Sequence, residues 1–287
     1  MSVRVFVGND RVDAWPVGNR LEAYGDGLFE TMRVHRGELP WWRSHWDRLA
    51  HGAHRLRLPL PDEALVREAA ASLFADGGDG VLKLLLGRGG TIRGYAPTSS
   101  ASPLWMLSRH ALPAVGPDGL AARWCETRLS IQPVLAGLKH CNRLEQVLAR
   151  AECDDAGVDE GLMLDSEGNV VSATSGNLFM LSDGRWSTPL VDRCGVAGVC
   201  RAHLINLLQA SELSLSPAQV EAAEAVFLCN AVRGILPLAR LGARTWTPHP
   251  AIADAKRLVA GIHPGFAVDA ASVDSATANA ASIMERS

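Results

Sequence analysis

An α/β fold is predicted from three observations. Short runs rich in Val, Leu and Ile alternate with stretches of helical period, and Gly, Pro and Asp clusters separate them. Apolar residues make up 47% and charged residues 21%, an ordinary globular balance. At 287 residues the chain is long enough for one large or two medium domains with ample core.

The first half reads as α+β. Val3–Val7 is a short strand, and a turn-rich segment leads to Tyr24-Gly25-Asp26-Gly27-Leu28-Phe29-Glu30-Thr31. Leu28–His35 reads as a strand that turns at Arg36-Gly37-Glu38 into a partner strand. Ser44–Leu56, carrying His45, Arg48 and Leu49, is a helix, and Pro61-Asp62-Glu63 opens a second helix running to Asp76. Val81–Leu86, ending in Gly87-Arg88-Gly89-Gly90, and Leu104–Ser108 are strands. Residues 1–111 are therefore expected to form a smaller N-terminal domain. The Pro/Gly-rich segment 112–119, LPAVGPDG, is the expected linker.

Residues 120–262 are expected to form a larger α/β domain. A strand is expected near Ala121–Leu129, with others at Gly161–Leu164, Val170–Ser172 and Asn177–Leu181. Asp165-Ser166-Glu167-Gly168 is a hairpin-type turn, and Glu221–Leu228 reads as a strand running into Cys229-Asn230-Ala231. Residues 263–287, rich in Ala, Ser and Asp, lack periodicity and are expected to be a loosely ordered tail.

The stretch Gly137–Glu152 organises the second half. Leu144, Val147, Leu148 and Ala151 fall on one helical stripe, with Asn142 as expected N-cap and Glu145 returning its hydrogen bond in a capping box. Lys139 then lies among Leu135, Ala136 and Leu138, just before a positive helix end, where its pKa should fall. A neutral lysine amine suits attack on a carbonyl and proton transfer. Cys194-Gly195-Val196-Ala197-Gly198-Val199-Cys200-Arg201 is a glycine-bounded loop feeding a helix, the pattern of an anion site.

Several function classes are excluded by composition. A formal charge of −3 offers no basic field for nucleic acid. No segment approaches the length of a membrane span, and no signal peptide is expected from MSVRVFVGNDRV. The six cysteines form no Cys-x-x-Cys and no zinc spacing, so no metal and a reducing, cytoplasmic location are expected.

Taken together, the motifs Tyr24–Thr31, His45-Trp46-Asp47-Arg48-Leu49, Arg93-Gly94-Tyr95, Gly137–Glu145, Asp159-Glu160-Gly161, Asn177-Leu178-Phe179, Gly198–Arg201 and Cys229-Asn230-Ala231 resemble, in order, the fold-type IV enzymes that use pyridoxal 5'-phosphate (PLP). Arg93-Gly94-Tyr95 points to the aminodeoxychorismate lyase branch of that family. The resemblance implies two α/β domains with PLP between them, usually as a homodimer. It implies a small-molecule substrate, 4-amino-4-deoxychorismate, converted to 4-aminobenzoate and pyruvate for folate synthesis. The alternative is a fold-type IV aminotransferase acting on branched-chain or D-amino acids.

By the same resemblance Lys139 is the Schiff-base lysine and Arg48 pairs with the cofactor phosphate. Backbone N–H groups of Val199 and Cys200, with Asn230 and Ala231, form the phosphate cup, and Val196 packs on the cofactor ring. The Cys200 thiol is a weaker donor than the threonine often found there. Arg93, Tyr95 and Arg143 are the expected substrate contacts, with Arg88 a further candidate. One position departs from the pattern. The family's usual glutamate, five residues before the Asn of Asn177-Leu178-Phe179, is Ser172 here. A hydroxyl can meet the cofactor's ring nitrogen but cannot stabilise a pyridinium as an anion would, which favours elimination over transamination.

Overall fold

The computed structural model describes residues 2–90, 94–97, 101–114 and 119–267. The chain begins with β1 (Val3–Val7), β2 (Asp10–Val12), the short helix α1 (Arg20–Tyr24) and β3 (Gly27–Val34). Helices α2 (Trp42–Leu56) and α3 (Glu63–Leu73) follow, then β4 (Gly80–Arg88) and β5 (Pro103–His110). These strands form one antiparallel sheet in the order β2-β1-β5-β4-β3.

The chain continues through β6 (Leu120–Trp124), α4 (Leu144–Asp155), β7 (Glu160–Leu164), β8 (Val170–Ala173), β9 (Asn177–Ser182) and β10 (Arg185–Pro189). It ends with α5 (Val199–Leu208), β11 (Ser211–Leu213), α6 (Pro217–Ala222), β12 (Ala225–Asn230), β13 (Gly234–Leu241), β14 (Arg244–Thr245) and α7 (Pro250–Ile262). These strands make a second, mixed sheet in the order β11-β10-β9-β12-β13-β6-β7-β8, with β14 on β13. Of the linker segment, residues 115–118 lie outside the described residues.

Strand β3 shows how sequence becomes position. Leu28, Glu30, Met32 and Val34 alternate onto its buried face, and the three apolar ones join Leu49 and Ala53 of α2 in one core. Gly52 lets α2 come close, since a Cβ there would sit 2.9 Å from Leu28 Cδ1. Helix α2 ends at Arg57, whose φ of 51° breaks the helix and whose N–H closes on Ala53. Helix α3 is capped by Asp62, which accepts from the N–H groups of Ala64 and Leu65.

Four sequence expectations need correction. The Arg36–Glu38 turn leads to no partner strand; only a single His35–Glu38 bridge forms, and β3 pairs with β4 instead. The strand expected over Ala121–Leu129 stops at Trp124. The strand expected from Glu221 begins only at Ala225, because Ser216 and Gln219 form a capping box that starts α6. The tail does not begin at His263. Pro264–Phe266 is a 3-10 turn, His263 is buried and accepts from Gly265 N–H, and the Arg33 guanidinium lies 5.0 Å from the Phe266 ring centre. The rest of that tail, residues 268–287, lies outside the described residues.

Helix α4 departs most instructively. Its expected core stripe faces solvent: Leu144 is 78%, Val147 60% and Leu148 59% exposed. The buried positions are Ala149 and Cys153, small residues that let the helix approach Cys125 and Met163. Nor is there a capping box. Asn142 Nδ2 donates to the Gly25 carbonyl at 3.4 Å, and Glu145 accepts from Ser130 N–H at 2.9 Å. The helix starts at Leu144 without a side-chain cap.

Candidate active site

Between the two sheets lies a cavity of about 440 Å³, a size suited to a small molecule. Phe29, Thr31 and Arg48 line it from the first sheet and its helix; Lys139, Ser172, Asn177, Val196, Val199, Cys200, Asn230 and Ala231 line it from the second half.

Lys139 reaches this place through backbone pairing rather than through a helix. Its carbonyl accepts from Phe29 N–H at 3.0 Å, and Cys141 N–H donates to the Gly27 carbonyl at 2.9 Å. On the other side Gly137 N–H donates to Gly195, and Ala197 N–H donates back to Gly137, both at 3.0 Å. The segment is thus laced to β3 on one flank and to the glycine loop on the other. Its Nζ sits 4.3 Å from the centre of the Phe29 ring. Burial, and after it the neighbouring charge of Arg48, lowers the Lys139 pKa to about 7. The expected fall is present, but burial causes it; the helix start lies beyond Asn142 and Arg143.

Arg48 is held by a carboxylate that sequence reasoning did not single out. Glu30 Oε1 accepts from Arg48 Nε at 2.8 Å, and its Oε2 from Arg48 Nη2 and from His45 Nδ1, the last at 2.6 Å. Arg48 Nη1 donates to the Ala197 carbonyl at 3.1 Å, which aims the guanidinium at the glycine loop. Burial alone would raise the Glu30 pKa, yet Arg48 and His45 together carry it down to about 2. His45 is lowered by burial, so its ring donates as a neutral imidazole. A signal for Glu30 existed in the sequence: it is the one acid on the alternating buried face of β3, and a buried acid needs a partner.

At the far end α5 begins at Gly198 with no side-chain cap, which leaves the Val199 and Cys200 N–H groups open at the cavity wall. Asn177, buried beneath, donates from Nδ2 to the Val196 carbonyl at 2.9 Å, and a Cβ on Gly198 would run into its Oδ1. Contact with Cys229 and burial push the Cys200 thiol pKa well up, so it stays a neutral, weak donor. Asn230 Oδ1 accepts from Val232 and Arg233 N–H groups, shaping the turn that closes the cup. The whole corner offers backbone donors, one guanidinium and no acid, the chemistry of a phosphate site.

The expected substrate contacts divide. Arg143 lines the cavity; its Nε and Nη2 donate to the His140 and Leu138 carbonyls, and burial lowers its pKa to about 10. Tyr95 does not line the cavity. It is 86% exposed, tilted against Tyr24 at 5.3 Å, because Arg20 holds the Gly94 and Tyr95 carbonyls away from the site. Arg93 lies outside the described residues. Arg88 is committed elsewhere, to Asp26 and to the Leu56 and Arg57 carbonyls. Two residues not anticipated, Gln146 and Arg233, do line the cavity.

Residues 27–241 match the family described as amino-transferase class IV. The chain belongs to the class IV aminotransferase family. It is 35% identical to the aminodeoxychorismate lyase of Vibrio harveyi over 237 residues, 79% of this chain and 88% of that protein. Its structure resembles the 4-amino-4-deoxychorismate lyase of Pseudomonas aeruginosa with a TM-score of 0.83 and 41% identity, covering 90% of this chain and 98% of that one. An aminotransferase from Brucella abortus bound to PLP shares the fold at a TM-score of 0.78 and 21% identity, covering 90% and 97% of the two chains.

Class IV aminotransferases and aminodeoxychorismate lyases use PLP, and this cavity fits it. Lys139 supplies a buried, partly neutral amine, and Arg48 with the Val199 and Cys200 N–H groups supplies a phosphate corner. With a Lys139 pKa of about 7, apoprotein should take up PLP faster as pH rises from about 6 to about 8 and level off above; stopped-flow absorbance of the cofactor measures this. Glu30 gives a second test. Its folded pKa lies below the unfolded 4.5, so its stabilisation is complete above 4.5 and is lost as pH falls through about 2. Urea midpoints should drop over that interval, and Glu30→Gln should be less stable at neutral pH and lack that part of the slope.

Proposed function

We propose that this chain is a 4-amino-4-deoxychorismate lyase that releases 4-aminobenzoate and pyruvate, a step supplying folate synthesis. The likeness to lyases of Vibrio harveyi and Pseudomonas aeruginosa supports this reading over that of an aminotransferase for branched-chain or D-amino acids. The single structural observation that carries it is the charge of the cavity. Among the described residues, Arg143 and Arg233 face it with no carboxylate partner, a match for the two carboxylates of this substrate.

PLP, when bound, would supply the electron-withdrawing chemistry that loosens the bonds around the substrate's amine-bearing carbon. Lys139 would hold the cofactor and would act as the base that takes the proton from that carbon. The C–H electron pair becomes a ring double bond, the C–O bond to the enolpyruvyl group breaks, and the proton ends on the pyruvate methyl. A lysine with a pKa of about 7 can both take and return that proton near neutrality. Arg48, Val199, Cys200, Asn230 and Ala231 would hold the phosphate end, Val196 would pack on the ring, and Phe29 shields the Lys139 amine from water.

Two units, residues 1–111 and 120–262, fit the division of the strands into two sheets, and each lends one wall to the cavity. The free state of all six cysteines suits a reducing, cytoplasmic setting. A homodimer accounts for the exposed apolar stripe on α4, since burying Leu144, Val147 and Leu148 is worth about 1.5–3 kcal/mol apiece. Arg93 and Tyr95 belong to the substrate side in this reading, and the outward Tyr95 then contacts substrate only once a second copy brings them together.

Wild-type protein given 4-amino-4-deoxychorismate should release 4-aminobenzoate and pyruvate in equal amounts, and Lys139→Ala should release neither. PLP uptake without 4-aminobenzoate, combined with amino transfer to a keto acid, would select the aminotransferase instead. For assembly, wild type should sediment as a dimer and Leu148→Asp as a monomer; a wild-type monomer removes the dimer reading.

A further inference from the structure

Ser172 stands on β8 and lines the cavity while only 9% exposed. Its register is firm: Met163 of β7 lies opposite Ser172, and Leu162 opposite Ala173. Its hydroxyl has no hydrogen-bond partner among the described residues, whereas Glu160, Asp165, Glu167 and Glu30 are each engaged. Glu160, buried behind the wall, accepts from the Thr174 and Ser175 hydroxyls and from Gly161 N–H. Asp165 accepts from Glu167 and Asn169 N–H groups, and Glu167 pairs with Arg193. Glu30 is taken by Arg48 and His45. None of these acids lines the cavity. Its ionisable lysine and arginine side chains are Lys139, Arg48, Arg143 and Arg233, and among the described residues no aspartate or glutamate joins them.

A pyridine nitrogen placed in such a cavity meets no anion whichever wall it faces. Protonating it would add a positive charge to a group of cations, and a neutral hydroxyl gives that charge little support. A hydroxyl does, however, donate well to an unprotonated ring nitrogen. We propose that this chain holds the PLP ring nitrogen unprotonated, with the Ser172 hydroxyl donating to it, and so keeps the cofactor a weak electron sink. The consequence is a choice of reaction. Amino transfer must store the substrate's electron pair on the cofactor before a proton returns to the cofactor's own carbon. Elimination passes that pair into the new aromatic ring as the C–O bond breaks. A weak sink slows the first far more than the second, which protects the cofactor from being left in its amine form.

This inference rests on the family's cofactor and is independent of the substrate's identity. The test is 15N NMR of the holoenzyme loaded with ring-15N PLP, without substrate. Wild type should show a neutral pyridine resonance, as should Ser172→Ala, while Ser172→Glu, or Ser172→Asp if the glutamate variant loads poorly, should move to the pyridinium position. A pyridinium resonance in wild type overturns the proposal and leaves the lyase reading standing. Failure to take up labelled PLP removes the cofactor assignment and the proposal together. Ser172→Ala should bind PLP about fivefold more weakly, the worth of one hydrogen bond; unchanged binding would remove the hydroxyl from its role. In single-turnover mixing with an L-amino acid, Ser172→Glu should form the amine cofactor about tenfold faster than wild type, and an unchanged rate overturns the reaction-choice part.

Discussion

The backbone hydrogen bonds of Gly137–Cys141 hold the rest of the site in register. This segment pairs with Gly27 and Phe29 of β3 on one flank and with Gly195 and Ala197 on the other, so it is the seam at which the two sheets meet. Four main-chain bonds fix the lysine between them. The seam also explains the unusual amine. A lysine buried at the join of two sheets loses its hydration, and the aromatic face of Phe29 replaces it only in part. Placement and reactivity have one cause.

Charge in the cavity follows a simple plan. Glu30 lies behind the wall rather than in it, where it orients Arg48 and is itself neutralised by Arg48 and supported by neutral His45. What the cavity presents is therefore positive. That suits a phosphate at one end and a substrate with two carboxylates at the other. The same arrangement leaves the Ser172 corner without an acid. Anion recognition and a muted cofactor arise from one distribution of charge.

Small residues set the close approaches on which these contacts depend. Gly198 must lack a Cβ because Asn177 Oδ1 occupies that space, and the Asn177 amide in turn fixes the Val196 carbonyl. Gly52 brings α2 onto Leu28 so that Arg48, one turn earlier, reaches Glu30 and Ala197. Each glycine stands where the backbone must come closer to a neighbouring side chain, Leu28 at Gly52 and the Asn177 amide at Gly198, than a Cβ permits.

The sequence alone determined the strands and helices with strong local periodicity and the motifs that carry Lys139, Arg48, Ser172 and the α5 loop. Those features are local: a period, a cap, a glycine pair or a run of motif residues is visible without knowing its neighbours. Only the tertiary structure decided what faces what. The stripe Leu144, Val147 and Leu148 has helical spacing, but spacing cannot say whether an apolar face meets its own chain, and here Ala149 and Cys153 do so instead. Glu30 meets Arg48 from a separate element, Arg233 lines the cavity from the turn after β12, and Tyr95 misses it because Arg20 turns its segment outward. Lys139 was legible as a residue; the burial that lowers its pKa came from two sheets closing on it, which no local pattern encodes.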